Sequence, residues 1–405
     1  MARWVRMRRS SPLVLLTALL VGCVAASTPV DPDNPGPYLY DVAFRRAVLE
    51  RDLLTVDNGY AQRRLARYAI PEQGWEILPT RDPASRPLTD EDRDRLAAGE
   101  PLELGDLESL LPADLPTDRS EWERLGERVI AEYPIRADPR YEALAATPGA
   151  LEQAGFLRRP DDGWVGLRVF EDDDGTARVG PTCGQCHCTY NEWGELNPTL
   201  GNKAMDVGNG PGLADVLTDG LDNPFAIPDL GGLRDMPYLQ QNANWINTEP
   251  STLAIRCETL FITSNQERSR IPRPLVWAIT AWIRAQDFPE PVSEGGADAD
   301  AGRAVFDAAG CAACHAPPNF TSDRLVTVEE LGTNLAARLS PMRRTGYARI
   351  PSLRGVARTG PYLHNGEITS LEELFDPKRG EPGHTWGLEL DAEERRQLIA
   401  YLRSI

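Results

Sequence analysis

The chain has 405 residues, 41% of them apolar and 26% charged, with 43 basic against 61 acidic side chains and a formal net charge of −18. Acidity on this scale excludes a nucleic-acid-binding role and a basic membrane-docking patch. The length suffices for two or three domains, each with a core of its own.

The N-terminus reads as an export signal. Arg3, Arg6, Arg8 and Arg9 precede a charge-free, largely apolar run from Leu13 to Val21. That run is too short to cross a bilayer, but its length and flanks suit a secretory leader. It ends in Leu20-Val21-Gly22-Cys23, which resembles the lipobox of bacterial lipoproteins. Residues 1–22 are therefore expected to be a signal peptide and Cys23 the lipidated N-terminus. A plain signal peptide with an incidental cysteine is the alternative. Residues 23–37, rich in Pro, Asp, Ser and Asn, read as a tether. Losing the four leader arginines takes the net charge to about −22. The expected location is the bacterial cell envelope, anchored by lipid and facing the periplasm or the cell surface.

Residues 38–160 carry helical patterns and acidic loops. Thr89-Asp90-Glu91-Asp92 has the form of a capped helix start, and Trp122 to Tyr133 follows with helical apolar spacing. This region is expected to be a helical extension wrapping the domain that follows.

The chemistry sits in two pentads, Cys183-Gly184-Gln185-Cys186-His187 and Cys311-Ala312-Ala313-Cys314-His315. In CxxCH the two thiols add across the haem vinyl groups and the adjacent histidine reaches the iron. Zinc is the competing reading, mainly at the first pentad, where Cys188 crowds in. Export counts against free thiolates there, and the second pentad lacks further ligands. Of the seven cysteines, one is the lipid site and four lie in the pentads. Cys188 and Cys257 remain, an even remainder that predicts one disulfide.

The flanking patterns define two modules, residues 161–289 and 290–405. Asp298 to Ala309 predicts a helix with Ala301, Val305, Phe306 and Ala309 on one face, ended by Gly310. A second helix starts at a cap on Asp391 and carries Leu398, Ile399, Leu402 and Ile405. Ala281-Trp282-Ile283-Arg284-Ala285 matches Ala400-Tyr401-Leu402-Arg403-Ser404 as an internal repeat of that closing helix. Phe288-Pro289-Glu290-Pro291 and Gly295-Gly296 mark the boundary between modules. The expected fold is mainly α: two cytochrome c-like haem domains with an N-terminal helical extension.

Residues 350–375 run Ile-Pro-Ser-Leu-Arg-Gly-Val-Ala-Arg-Thr-Gly-Pro-Tyr-Leu-His-Asn-Gly and on to Ser370-Leu371-Glu372-Glu373-Leu374-Phe375. This resembles the signature of the di-haem cytochrome c peroxidase superfamily, which includes MauG-type enzymes and rubber-cleaving di-haem oxygenases. The resemblance implies two covalent haems c, with electrons entering at the C-terminal haem and peroxide reacting at the N-terminal one. The family's methionine ligand after the leucine-acid helix is missing. Gly383-His384-Thr385-Trp386-Gly387 stands there instead and resembles an element nearer the oxygenase branch. His384 is the expected partner of His315 on the second iron, with Met342 as the alternative. His364 is expected near the haem and domain interface rather than on iron. Thr359 and Pro361 match carbonyl donors to an inter-domain calcium.

The first module has no histidine besides His187. Its sixth ligand is Met205 or Met236, or the iron is open. Gln240, Gln241, Asn242, Trp245 and Glu249 could line such a pocket, with Gln240 or Glu249 moving protons and Trp245 carrying electrons; an ordinary loop around a buried tryptophan is the alternative. Three functions stay open: a di-haem peroxidase acting on hydrogen peroxide or oxygen, a pure electron carrier with both irons six-coordinate, and an oxygenase on an apolar substrate. The expected electron donor is a small periplasmic cytochrome or cupredoxin, and the membrane is engaged only through the lipid.

Overall fold

A computed structural model describes residues 33–53, 74–158, 163–190, 196–197, 200–208, 211–214, 224–265, 268–333 and 345–405. The expected signal peptide, Cys23, most of the tether and Met342 lie outside these residues.

In chain order the main elements are helices α1 (Gly36–Tyr40) and α2 (Val42–Asp52), strand β1 (Ser85–Thr89), and helices α3 (Asp90–Ala98), α4 (Arg119–Glu132) and α5 (Pro139–Ala146). Strands β2 (Gly163–Glu171) and β3 (Ala177–Pro181) follow, then α6 (Cys183–His187), β4 (Tyr238–Leu239), β5 (Trp245–Ile246), α7 (Pro250–Ser264) and α8 (Arg273–Ala285). The second module comprises α9 (Ala297–Ala308), β6 (Leu325–Thr327), β7 (Tyr347–Arg349), α10 (Leu371–Leu374) and α11 (Ala392–Leu402). The fold is mainly α with small antiparallel sheets. No described helix is long and apolar enough to cross a membrane.

Local chemistry explains where helices begin. The Thr89 hydroxyl accepts from Asp92 N–H while the Asp92 carboxylate takes Thr89 N–H, a capping box, and Gly99 at φ 73° ends the helix. Asp391 and Glu394 form the same reciprocal cap on α11. In α4, Trp122, Leu125, Val129 and Ile130 form the buried stripe.

Two helix pairs frame the two pentads. α4 packs on α8, and α9 packs on α11. Each crossing is made at a glycine. A Cβ on Gly126 would stand 2.0 Å from the Ala278 carbonyl oxygen and 2.6 Å from Trp282 Cβ. One on Gly302 would stand 1.9 Å from the Gln397 carbonyl oxygen and 2.9 Å from Tyr401 Cβ. The matched Trp282 and Tyr401 of the internal repeat thus occupy equivalent places.

This pairing corrects two expectations. The opening helix of the first module is α4, inside the segment assigned to the extension, so the module does not begin at residue 161. In α9 the buried line is Ala299, Gly302 and Phe306; Ala301, Val305 and Ala309 are only half-buried, because close backbone contact at Gly302 sets the helix rotation.

The sheet β1-β2-β3 is the chief addition to the expected helical fold. Its antiparallel register sets Ser85 against Phe170, and Leu167 against Pro181. β2 is buried on both faces from Gly163 to Phe170, and β3 delivers the chain directly into the first pentad. The N-terminal helices are tied in by a buried ionic cluster. Tyr38 donates to Glu258 (2.9 Å), and Arg273 bridges Glu258 (3.0 Å) and Glu76 (2.7 Å), which also holds Arg45 (2.8 Å). Ion pairing between the carboxylates and guanidinium groups is what makes such burial tolerable.

Candidate haem-binding sites

The first pentad forms the single helical turn α6, whose Gly184 lies against the Ile130 carbonyl of α4. His187 Nδ1 is 3.1 Å from the Pro228 carbonyl oxygen. A carbonyl can only accept, so Nδ1 carries the proton and Nε2 keeps its lone pair for a metal. Burial is the main influence holding His187 below the ordinary imidazole range, and the charges of Lys203 and Arg256 act in the same direction. Burial likewise raises the thiols of Cys183 and Cys186, the latter to about 12.

The second pentad begins at Gly310, φ 74°, and turns tightly so that His315 N–H bonds the Cys311 carbonyl at 2.9 Å. His315 Nδ1 lies 3.1 Å from the Pro351 carbonyl and 3.2 Å from that of Phe320, which again reserves Nε2. Both pentad histidines are thus oriented by a proline carbonyl. The acceptors sit in matching stretches, Ile227-Pro228-Asp229-Leu230 and Ile350-Pro351-Ser352-Leu353. That repeat was the signal that could have revealed Pro228.

His384 is brought to His315. The two ring centres are 6.4 Å apart, with planes tilted by 53°. Two imidazoles on opposite sides of one metal, each about 2.0 Å from it through nitrogen, place their centres about 6.3 Å apart. Burial, with the neighbouring His315 adding to it, pushes His384 down to about 4, so its imidazole is neutral at ordinary pH. The residue adopts φ 46° beside Gly383. Its backbone is pinned from both sides: its N–H bonds the Leu331 carbonyl at 3.0 Å, and its carbonyl accepts from Arg379 at 2.8 Å. Paired thiols, an oriented lone pair and a facing imidazole fit a covalently attached haem.

His364 packs against the Phe225–Ala226 stretch of the first module. Its Nδ1 meets Thr333 Oγ1 at 2.8 Å, its ring packs edge-on to Phe225 of the first module, and its carbonyl takes Ala226 N–H at 2.8 Å. Thr359 and Pro361 lie in the same loop region; among the described residues no group of three or more His, Cys, Asp or Glu gathers to hold a metal.

The first-module candidates separate. Met205 is fully buried in an apolar cluster against which Cys186 packs, and Met236 is buried beside the turn Leu233–Asp235. Gln240, at φ 61°, has its side chain against Asn244 and Arg256. Trp245 is fully buried in the first-module core, behind the hairpin tip that meets the second module. Glu249 occupies the N-cap position at the start of α7, and its carboxylate is paired with Arg51 at 2.5 Å. Cys188 and Cys257 are separate thiols, so the expected disulfide is not formed. Cys257 instead neighbours Cys183 closely enough to help raise its pKa. Arg256, next in the chain, acts on His187, so this face of α7 borders the first pentad, a role that sequence reading missed.

Comparison with known proteins finds similarity to c-type cytochromes. The cytochrome c family profile matches residues 299–405. The methylamine utilization protein MauG of Methylorubrum extorquens is 37% identical over 123 residues, 27% of this chain and 35% of that protein. The cytochrome-c peroxidase IdrP1 of a Pseudomonas species is 39% identical over 67 residues, 15% of this chain and 18% of that protein. The matched stretches therefore span about a third or less of these curated relatives. A solved MauG-like protein associated with microbial copper homeostasis overlays with a TM-score of 0.40 at 15% identity, covering 73% of this chain and 91% of that one. Over the matched stretches the chain is similar to di-haem cytochrome c peroxidases of the MauG type, and the cytochrome c match together with the pentads implies covalently bound c-type haem.

Proposed function

We propose that this is an exported, lipid-anchored cytochrome with one haem on each pentad, which reduces hydrogen peroxide at the first haem with electrons that enter through the second. The carrying observation is an asymmetry. His315 faces His384 at 6.4 Å, whereas His187 is the sole histidine of its module. His315 and His384 would both hold the second haem, whereas His187 would hold the first, where haem would supply a site for peroxide. Haem iron supplies the electron storage and, where a position is open, the site at which peroxide binds. The chain's residues orient the pentad imidazoles through Pro228 and Pro351, and set the Arg256 cation, with Gln240 against it, where its charge acts on His187. A cation there favours the negative charge that develops on the departing oxygen. The balance is one peroxide, two electrons and two protons to two waters. The electrons are expected from a small periplasmic cytochrome or cupredoxin.

Ferric electron paramagnetic resonance of the holoprotein, followed by peroxide turnover with excess reductant, tests the proposal. One high-spin and one low-spin haem with sustained turnover are expected. Two low-spin haems without turnover would leave the pure electron carrier, with Met205 or Met236 on the first iron. Oxygen consumption dependent on an apolar substrate would point to the oxygenase.

A further inference from the structure

Arg349 lies at the seam where the modules are fastened together. Its N–H bonds the Gln241 carbonyl at 2.9 Å, and its guanidinium donates to the Tyr238 carbonyl at 3.0 Å. Around it, Thr345 Oγ1 donates to the Asn242 carbonyl at 2.6 Å and Tyr238 OH to the Asp323 carbonyl at 2.9 Å. One hairpin tip of the first module is thus clasped by β7 of the second.

The guanidinium is chemically anomalous. It is half-buried, and burial alone pulls its pKa to about 10, with no carboxylate contributing. None of the ion pairs among the described residues includes it. An arginine remains charged in a protein, and a charge held largely out of water favours a counter-ion. Tyr238 engages one of its five N–H donors, leaving a fork suited to a carboxylate. Arg349 is two residues before Pro351, whose carbonyl orients His315. A haem held by His315 would carry two propionate carboxylates, the class of group that this fork accepts.

We propose that Arg349 is the counter-ion of a propionate of the second haem, and that it ties that haem to the Tyr238–Asn242 tip of the first module. This rests on the second haem lying between His315 and His384. A half-buried cation beside a propionate favours the ferrous state, because reduction adds a negative charge. The second haem's potential is therefore set partly by this residue.

The test uses the full-length holoprotein, with the haems distinguished by spin state in a spectroscopic redox titration. Arg349→Gln is expected to shift the second haem toward its oxidised form about tenfold, some 59 mV downward for one electron. Spin state and haem content should be unchanged. Arg349→Lys, which keeps the charge, is expected to restore most of that shift. An unshifted second haem in the glutamine variant, or a shift confined to the first haem, would overturn the proposal. Should the glutamine variant not accumulate, a tenfold downward shift in Arg349→Lys would overturn it. The His384→Ala variant separates the underlying assumption: a second haem that stays low-spin without His384 refutes the ligand assignment, whatever Arg349 does.

Discussion

His315 and His384 face one another with ring centres 6.4 Å apart, and only His315 has its Nδ1 bonded to protein, at the Pro351 carbonyl. Replacing His384 with alanine is expected to convert the second haem from low to high spin. His384→Met is expected to keep it low-spin and raise its potential, since a thioether favours ferrous iron over ferric relative to imidazole. Visible and paramagnetic resonance spectra decide. An unchanged low-spin signal in the alanine variant would transfer the ligand role to Met342.

The glycine crossings set how tightly each helix pair closes. Gly126→Ala and Gly302→Ala place a methyl against backbone carbonyls that cannot swing away. Each is expected to cost about 3 kcal/mol through forced separation of the helices. Gly380→Ala, whose added methyl meets nothing within 4 Å, should be near neutral. Denaturant unfolding of the holoproteins measures all three, and equal stabilities would remove the crossings from the account.

The pentads, the closing helices and the repeat of Trp282 in Tyr401 were legible because covalent haem chemistry and helical periodicity leave short, local marks. The opening helix of the first module was not, because fifty residues separate Glu132 from Cys183, whereas α9 ends three residues before Cys311. The sheet between them escaped because β2 is buried on both faces. Its sequence lacks the alternation that identifies a half-exposed strand. Arg349 and Arg256 were invisible for a different reason: a functional arginine is marked by what surrounds it, and the chain contains many arginines.

The two thiols outside the pentads, Cys188 and Cys257, are expected to react with an alkylating reagent without prior reduction, once the protein is unfolded. Intact-mass analysis should show two added alkyl groups, two haems and a diacylglyceryl group on Cys23. A species that takes alkyl groups only after reduction would restore the disulfide. An N-terminus upstream of Cys23 would remove the anchor.

All four histidines are held below the ordinary imidazole range, and burial is the first cause in each case. A depressed imidazole pKa means that the unfolded chain binds more protons than the folded one, from about pH 6.5 down to the folded value. Stability is therefore complete above about pH 6.5 and declines as the pH falls through that window. For His384, pushed down to about 4, the window spans roughly 2.5 pH units and is worth about 3 kcal/mol. Coordination to iron acts in the same direction, because a ligating nitrogen cannot hold a proton. Carboxylates with ordinary pKa values take up protons only near pH 4, so a loss beginning at pH 6 points to imidazole. Thermal unfolding of the holoprotein at intervals between pH 7.5 and 4.5 should show Tm falling steadily below about pH 6.5. A Tm that stays level down to pH 5 would mean that the histidines are protonated in the folded state, and would remove the basis for reading them as neutral ligands.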